Sequence, residues 1–236
     1  MTHSFVVLDV ETTGLVPEAE KVIELGALKI EQGVVVDQFH TLLSIDALLP
    51  KRITDLTGIT EEMLRGQPKF SEISKRLYSF LEGQVLLGHN VPFDYKFIKT
   101  EFGRVGMEYE AQVLDTLEIA KKVHPELTSR SLESMCREYH IKNENAHRAL
   151  ADATVTAKLY FLMAERFASA YPLVFEPQII YYKPKKDQSI TNRQKNYLND
   201  LLKYHKIDRV QTIDDLSKSE ASRLIDKIIS QYGRLG

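Results

Sequence analysis

The chain has 236 residues, 43% of them hydrophobic and 27% charged, which is enough for one substantial core and a small second unit. A formal net charge of −2 gives no bulk attraction to a polyanion, and a single cysteine excludes an intrachain disulfide. No run of about 18 apolar residues offers a membrane-spanning helix. The average hides an asymmetry: residues 169–236 carry 12 Lys and Arg against 8 Asp and Glu, while residues 1–168 carry 25 acidic against 19 basic groups. A basic tail suits phosphate contacts and a bound cation would offset clustered acids, although ordinary surface variation gives the same totals. The opening Met1-Thr2-His3-Ser4 lacks a basic region followed by an apolar run, so a soluble, cytoplasmic protein is expected.

In chain order, residues 4–10 read as a buried strand. Val22–Glu31 and residues 34–43 alternate as a second and a third strand, and Glu31-Gln32-Gly33 turns one into the other as a hairpin. Residues 50–65 hold short helical pieces around Leu56-Thr57-Gly58-Ile59-Thr60. Phe70–Leu81 has apolar residues at 70, 73, 77, 80 and 81, a helical period. Residues 84–88 form a short apolar strand. Asn90-Val91-Pro92 then opens a helix to about residue 102, with Asn90 at the cap and Pro92 in the first turn. Residues 111–114 are a brief strand ending at Asp115. Helices follow over Thr116–Val123, capped by Asp115 or Thr116, and over 131–139, where Cys136 is expected to be a small core residue. A long amphipathic helix spans about 148–167. Strands with a hairpin, then strands alternating with helices, predict an α/β domain with a mixed central sheet.

Residues 170–190 break the pattern. Pro172, Pro177 and Pro184, with Lys183-Pro184-Lys185-Lys186-Asp187, read as a linker or a surface strap. Two short helices come next, opened by Thr191-x-x-Gln194 and Ser217-x-x-Glu220, both capping boxes. Leu198, Leu201 and Leu202 stripe the first, and Leu224, Ile225, Ile228 and Ile229 the second. So small a unit has a marginal core and is expected to dock on something. The expected division is therefore 1–168, 169–188 and 189–236.

The stretch Val6-Val7-Leu8-Asp9-Val10-Glu11-Thr12-Thr13-Gly14-Leu15 carries the first candidate chemistry. Asp9 and Glu11 point the same way from a strand, and side by side they repel unless one protonates or a cation lies between them. Hard oxygen ligands suit Mg²⁺ or Mn²⁺; a strand end dipping into solvent gives the same pattern. Asp94 falls in a first helical turn, where the helix dipole alone favours an acid. Asp152 lies early in the long helix between Ala151 and Ala153, which let other groups approach. His147 precedes that helix on a loop. A lone loop histidine is more often solvated than catalytic, yet histidine is the side chain best able to accept a proton near neutral pH.

Together, Asp9-Val10-Glu11-Thr12-Thr13-Gly14, His89-Asn90-Val91-Pro92-Phe93-Asp94 and His147-Arg148-Ala149-Leu150-Ala151-Asp152 resemble, in order and spacing, the three motifs of the DEDDh, or DnaQ-like, 3′→5′ exonucleases. That family contains the proofreading epsilon subunit of bacterial DNA polymerase III. The connector Leu56-Thr57-Gly58-Ile59-Thr60 is similar to the family's as well. The resemblance covers residues 4–167 and implies an RNase H-like fold, a mixed five-stranded sheet flanked by helices, here with a small carboxyl-terminal helical unit. It implies that Asp9, Glu11, Asp94 and Asp152 hold two divalent cations, Mg²⁺ or Mn²⁺, about 4 Å apart. His147 would take the proton from the attacking water, and a nucleoside 5′-monophosphate would leave.

By the same resemblance, Thr12 and Thr13 through their backbone, Leu15, Asn90 and Phe93 would meet the terminal nucleotide of a single-stranded or frayed 3′ end. For Leu15 and Phe93, core packing is the competing reading. DNA is the expected substrate, in proofreading or repair; a 3′→5′ exoribonuclease would use the same site, and a binding module with a vestigial site is the remaining alternative. Residues 169–236 could recruit a DNA polymerase or another replication or repair protein. Tyr181-Tyr182-Lys183 with Lys185-Lys186 could grip a single strand, or form a packed strap with a solvated basic turn. Removing residues 189–236 is expected to spare short strands and weaken capture of long substrates or partners.

Overall fold

The computed structural model describes residues 4–45, 49–184, 189–207 and 213–235. Strands β1 (Phe5–Thr12), β2 (Val22–Glu31) and β3 (Val34–Leu42) form an antiparallel meander. Helices α1 (Lys51–Thr57), α2 (Glu61–Leu64) and α3 (Phe70–Leu81) lead to β4 (Leu86–Gly88), which pairs parallel to β1. The chain continues through α4 (Val91–Arg104), β5 (Gln112–Asp115), α5 (Thr116–Val123), α6 (Leu132–Glu138) and α7 (Ala149–Phe167). The sheet has the order β3-β2-β1-β4-β5-β6, so it carries six strands, one more than the resemblance implies. The extra strand, β6 (Gln178–Ile179), is two residues long and antiparallel to β5. Two residues behind a proline have no periodicity to read; only the open edge of β5 makes them a strand.

Alternation along β1 builds both layers. Val6, Leu8 and Val10 face α3 and α4, packing with Leu77, Phe80, Tyr95, Phe97 and Phe102. Phe5 and Val7 face the other way, against Ile119, Met135, Tyr160 and Met163 of the α5–α7 layer. Asp9 and Glu11 continue this second face, so they look toward α7. Cys136 is buried, as expected.

The helix ends show how these elements start and stop, two of them at sites predicted as caps. Gly58, at φ 71°, ends α1, and the Thr60 hydroxyl accepts from the Met63 amide to start α2. Asp115 rather than Thr116 caps α5, accepting from the Leu117 amide at 2.9 Å. Asn90 stands at the cap position of α4, but in the left-handed region at φ 67°, and its side chain caps nothing; its amide instead donates to Asp115 Oδ1 at 2.8 Å.

Gly26 of β2 sets how closely α7 approaches. It pairs with Asp9 in the sheet, and a Cβ built there would lie 2.2 Å from the Leu150 nitrogen. Bare backbone at 26, facing the Ala149–Leu150 backbone, thus lets the first turn of α7 sit close to the strand pair of Gly26 and Asp9. Gly26→Ala must push that helix outward. The expected cost is about 2 kcal/mol or more of stability, read from the urea midpoint, because the clashing atoms are backbone. An unchanged midpoint would mean that α7 is not seated this way.

Helices α8 (Asn192–Tyr204) and α9 (Lys218–Tyr232) carry both predicted capping boxes and enclose a separate core of Leu198, Leu201, Leu216, Ala221, Ile225 and Ile228. The unit does dock: Lys21 pairs with Glu220 at 3.0 Å, Arg223 with Glu20 at 2.9 Å, and Lys227 Nζ donates to the Leu49 carbonyl. No helix among the described residues is long and apolar enough to cross a membrane.

Candidate active site

β4 covers β1 only as far as Val7, so the amides beyond lack a strand partner on that side. The Val10 amide, between the two strand carboxylates, donates to Asp94 Oδ1 at 3.0 Å. Asp94 is buried in the first turn of α4 and so reaches the same end of the sheet as Asp9 and Glu11. From the other layer, Asp152 is buried in the first turn of α7; its Oδ1 accepts from Asn143 Nδ2 at 2.7 Å and its Oδ2 from the His147 amide at 3.0 Å. His147 adopts φ 62°, and that left-handed turn leaves its ring exposed over the carboxylates. One ligand atom each from Glu11, His147 and Asp152 lie within 4.8 Å of one another.

The electrostatics are frustrated. Burial raises Asp9 well above the usual carboxylate range, and Asp94, Asp152, Glu11 and Glu24 add to it by repulsion. Burial likewise raises Asp94, against the opposing hydrogen bond from Val10. Burial raises Asp152 despite its bonds from Asn143 and His147. Burial, then the charges of Asp152 and Glu24, push Glu11 up to about 7, with Arg148 opposing. Four acids that resist ionisation in one pocket fit a bound divalent cation: they are hard oxygen donors whose charge lacks compensation.

This gives a pH test. A carboxyl raised on folding keeps its proton where the unfolded chain has lost it, so stability falls as pH rises from 4.5, the ordinary Glu value, to about 7 for Glu11. In EDTA the melting temperature of the wild type should drop across that window more steeply than that of Glu11→Gln. Mn²⁺ should restore it, and by more at the upper end, where protons no longer compete. Parallel curves for the two proteins would remove Glu11 from the cation site.

Two supporting groups were not singled out in the sequence. Glu24 of β2 is wholly buried opposite Glu11. It takes Arg148 through Nε and Nη2 at 2.8–3.2 Å, the Ala149 amide at 3.1 Å and His40 Nε2 at 2.8 Å. Burial opposes its charge, but these hydrogen bonds from Arg148, His40 and Ala149 hold it below the usual range. An anion thus fixes the start of α7 and the residue after His147. The available signal was an acid amid Val22, Ile23 and Leu25. Asn143, the anchor of Asp152, sits in a polar loop where nothing marks it.

The candidate strand-contacting residues lie at the end of β1, on the loop that follows it, and at the start of α4. Thr12 and Thr13 are buried at the base of the loop after β1; the Thr13 amide is already given to the Lys21 carbonyl. Leu15 projects from that loop 79% exposed, which is not core packing. Asn90 is exposed beside Asp94, whereas Phe93 is half-buried against Phe97, ring centroids 4.8 Å apart. The strap behaves differently from a two-tyrosine grip: Tyr181 is exposed, but the Tyr182 hydroxyl donates to Glu18 and meets Thr100, both at 3.1 Å. Lys185 and Lys186 lie outside the described residues.

Residues 6–160 match the family model described as exonuclease, RNase_T. The chain is 39% identical over 163 residues to the PolC-type DNA polymerase III of Thermotoga petrophila, covering 69% of this chain and 12% of that protein. It is 36% identical over 179 residues to the 3′-5′ exonuclease DinG of Staphylococcus epidermidis, covering 75% of this chain and 20% of that one. The chain thus spans no more than a fifth of the length of either relative. Among solved structures, E. coli exonuclease I in complex with a dT13 oligonucleotide matches with TM-score 0.65 at 21% identity, over 73% of this chain and 43% of that one. Exonuclease X in complex with 5′ overhanging duplex DNA matches with TM-score 0.59 at 19% identity, over 72% and 96%. E. coli exonuclease I with single-stranded DNA has also been solved in a zinc-bound form. The family generally uses divalent metals. With these motifs, this sheet order and this match, the chain belongs to the exonuclease family of DEDDh, DnaQ-like 3′→5′ exonucleases.

Proposed function

We propose that the protein removes nucleoside 5′-monophosphates one at a time from the 3′ end of DNA, in a metal-dependent reaction serving proofreading or repair. The observation that carries this reading is that ligand atoms of Glu11, His147 and Asp152 lie within 4.8 Å of one another, with Asp94 bonded to the Val10 amide between the two strand carboxylates Asp9 and Glu11. Those four carboxylates would hold two divalent cations, Mg²⁺ or Mn²⁺. When bound, such a pair stabilises the attacking and leaving oxygens of an in-line displacement at phosphorus. His147 accepts the proton of the attacking water, steadied by its amide bond to Asp152. Leu15 and Phe93 meet the last bases through stacking or wedging, which tolerates any sequence, and Asn90 meets sugar or phosphate. DNA is preferred over RNA because of the PolC-type relatives.

The division into a nuclease part (1–168), a strap (169–188) and a helical unit (189–236) belongs to the same proposal, as does a cytoplasmic location. It is supported by the separate core of the last unit. A polymerase or other repair protein recruited through residues 169–236 remains part of it.

The test uses matched 5′-labelled single-stranded DNA and RNA with Mg²⁺, Mn²⁺ or EDTA. Stepwise shortening of DNA, stopped by EDTA, is the expected result. Faster shortening of RNA would move the same site into RNA processing. Binding of either strand without shortening would overturn the enzyme.

A further inference from the structure

The loop between Thr13 and Lys21 carries its exposed apolar tip, Leu15 and Val16, without a core of its own. It is held at the base, from three sides. From α4, Arg104 donates to the carbonyls of Glu20 and Pro17, both at 2.9 Å. From the strap, Tyr182 holds Glu18. The third side is α9, which lies outside the segment that matches the exonuclease family.

The contact from α9 reaches the motif through one carboxylate. Glu20 Oε2 accepts the Thr13 hydroxyl, and Glu20 Oε1 faces Arg223 at 2.9 Å. The same carboxylate fills the space above Gly14, 2.4 Å from where a Cβ would stand. Glu20 thus ties Arg223 to the Thr13 hydroxyl, and the missing side chain of Gly14 leaves room for its carboxylate. Its neighbour Lys21 closes the loop on Thr13 through both amides' partners, Thr13 N to Lys21 O at 2.9 Å and Lys21 N to Thr13 Oγ1 at 3.0 Å, and its ammonium pairs with Glu220. Glu220 and Arg223 are three apart on one helical face, which continues to Lys227 on the Leu49 carbonyl. The pairs cross in sign, acid to base each time, so a slipped docking would set like charges together.

We propose that the carboxyl-terminal helical unit is a clamp on this loop, with Arg223 and Glu220 as positioning residues that set how tightly a 3′ end is held. The inference rests on the reading of Thr12, Thr13 and Leu15 as end-contacting. It departs from the expectation that removing residues 189–236 spares short strands and weakens only the capture of long substrates or partners: on this reading their influence reaches the terminal nucleotide, so short strands feel it too.

The test uses the full chain and a short 5′-fluorescein single strand with a free 3′-hydroxyl, measuring KM and kcat with Mg²⁺ and affinity by anisotropy. Arg223→Ala and Glu220→Ala should each raise KM about three- to fivefold, the scale of one partly exposed ion pair, with kcat little changed. Glu220→Lys should do more, and Glu220→Lys combined with Lys21→Glu should recover most of the loss. Lys203→Ala, on α8, should behave as wild type. Wild-type KM in Arg223→Ala and Glu220→Lys overturns the clamp. So does a KM that does not recover in the charge swap; melting temperature is not the readout there, because Glu220 also accepts the Ser217 amide in the capping box of α9 and a lysine at 220 loses that bond. If the wild type binds the strand without shortening it, the activity reading falls and the same variants are judged on affinity.

Discussion

Asp9→Asn should abolish strand shortening while leaving a folded protein. Asparagine keeps the shape of the side chain and removes one charge. Asp9 is the most crowded of the acids: burial and the fields of Asp94, Asp152, Glu11 and Glu24 all oppose its ionisation. Neutralising it relieves the metal-free fold, so the melting temperature in EDTA should equal or exceed that of the wild type. The reaction suffers in proportion, because a cation held by fewer anions is lost or displaced. Losing several kcal/mol of charge stabilisation in the transition state corresponds to a rate loss on the order of a thousandfold or more. The stabilisation of the fold by Mn²⁺ should shrink in the same variant. A protein that cuts normally with Asp9→Asn would show that the strand carboxylates are structural. One that fails to fold would contradict the repulsion on which the cation site is argued.

What was legible from the residues was the periodic part of the fold and the acids that break it. Val22–Glu31, Phe70–Leu81 and Thr116–Val123 form over the ranges their patterns predict, because one face of each meets a core. Asp9 and Glu11 could be placed on one face from the two-residue period alone. The partners that make the site work were not legible. Glu24 lies more than a hundred residues from Arg148 in the chain, and only the sheet and the seat of α7 on Gly26 bring them together. Asn143 is one polar loop residue among several. The two-residue strand β6 is defined by the edge it joins rather than by its own composition. Asn90 was read as a side-chain cap because of its residue type, yet the left-handed backbone turns that side chain away from the helix it precedes.

The same contrast runs through the carboxyl-terminal unit. Its capping boxes and apolar stripes were readable, since they are local. Where it docks was not, since ion pairs between residues 20 and 223 leave no trace in either segment. The match to the exonuclease family ends at residue 160, so whatever the helical unit adds lies beyond the matched segment. That is where a difference in end-holding between this protein and its relatives would arise.

His147→Ala should slow hydrolysis by roughly a hundredfold or more, the usual scale for losing a general base, while the stabilisation of the fold by Mn²⁺ persists. The separation follows from geometry. His147 contributes two things: an exposed ring, and an amide given to Asp152 Oδ2 at 3.0 Å. Alanine removes the ring and keeps the amide. It does sit poorly at φ 62°, where a side chain costs roughly 1 kcal/mol. His147→Asn answers that objection, because asparagine tolerates the left-handed region and has no basic ring. If both variants are slow and both keep the metal-dependent shift, the lost function is proton acceptance. Because the ring is solvent-exposed, added imidazole can reach the vacated position and should recover part of the rate in His147→Ala. The ring's place within 4.8 Å of ligand atoms on Glu11 and Asp152 leaves one other role for it. A metal-dependent shift that collapses in both variants would make the imidazole a ligand rather than the base, and turnover equal to the wild type would remove it from the mechanism.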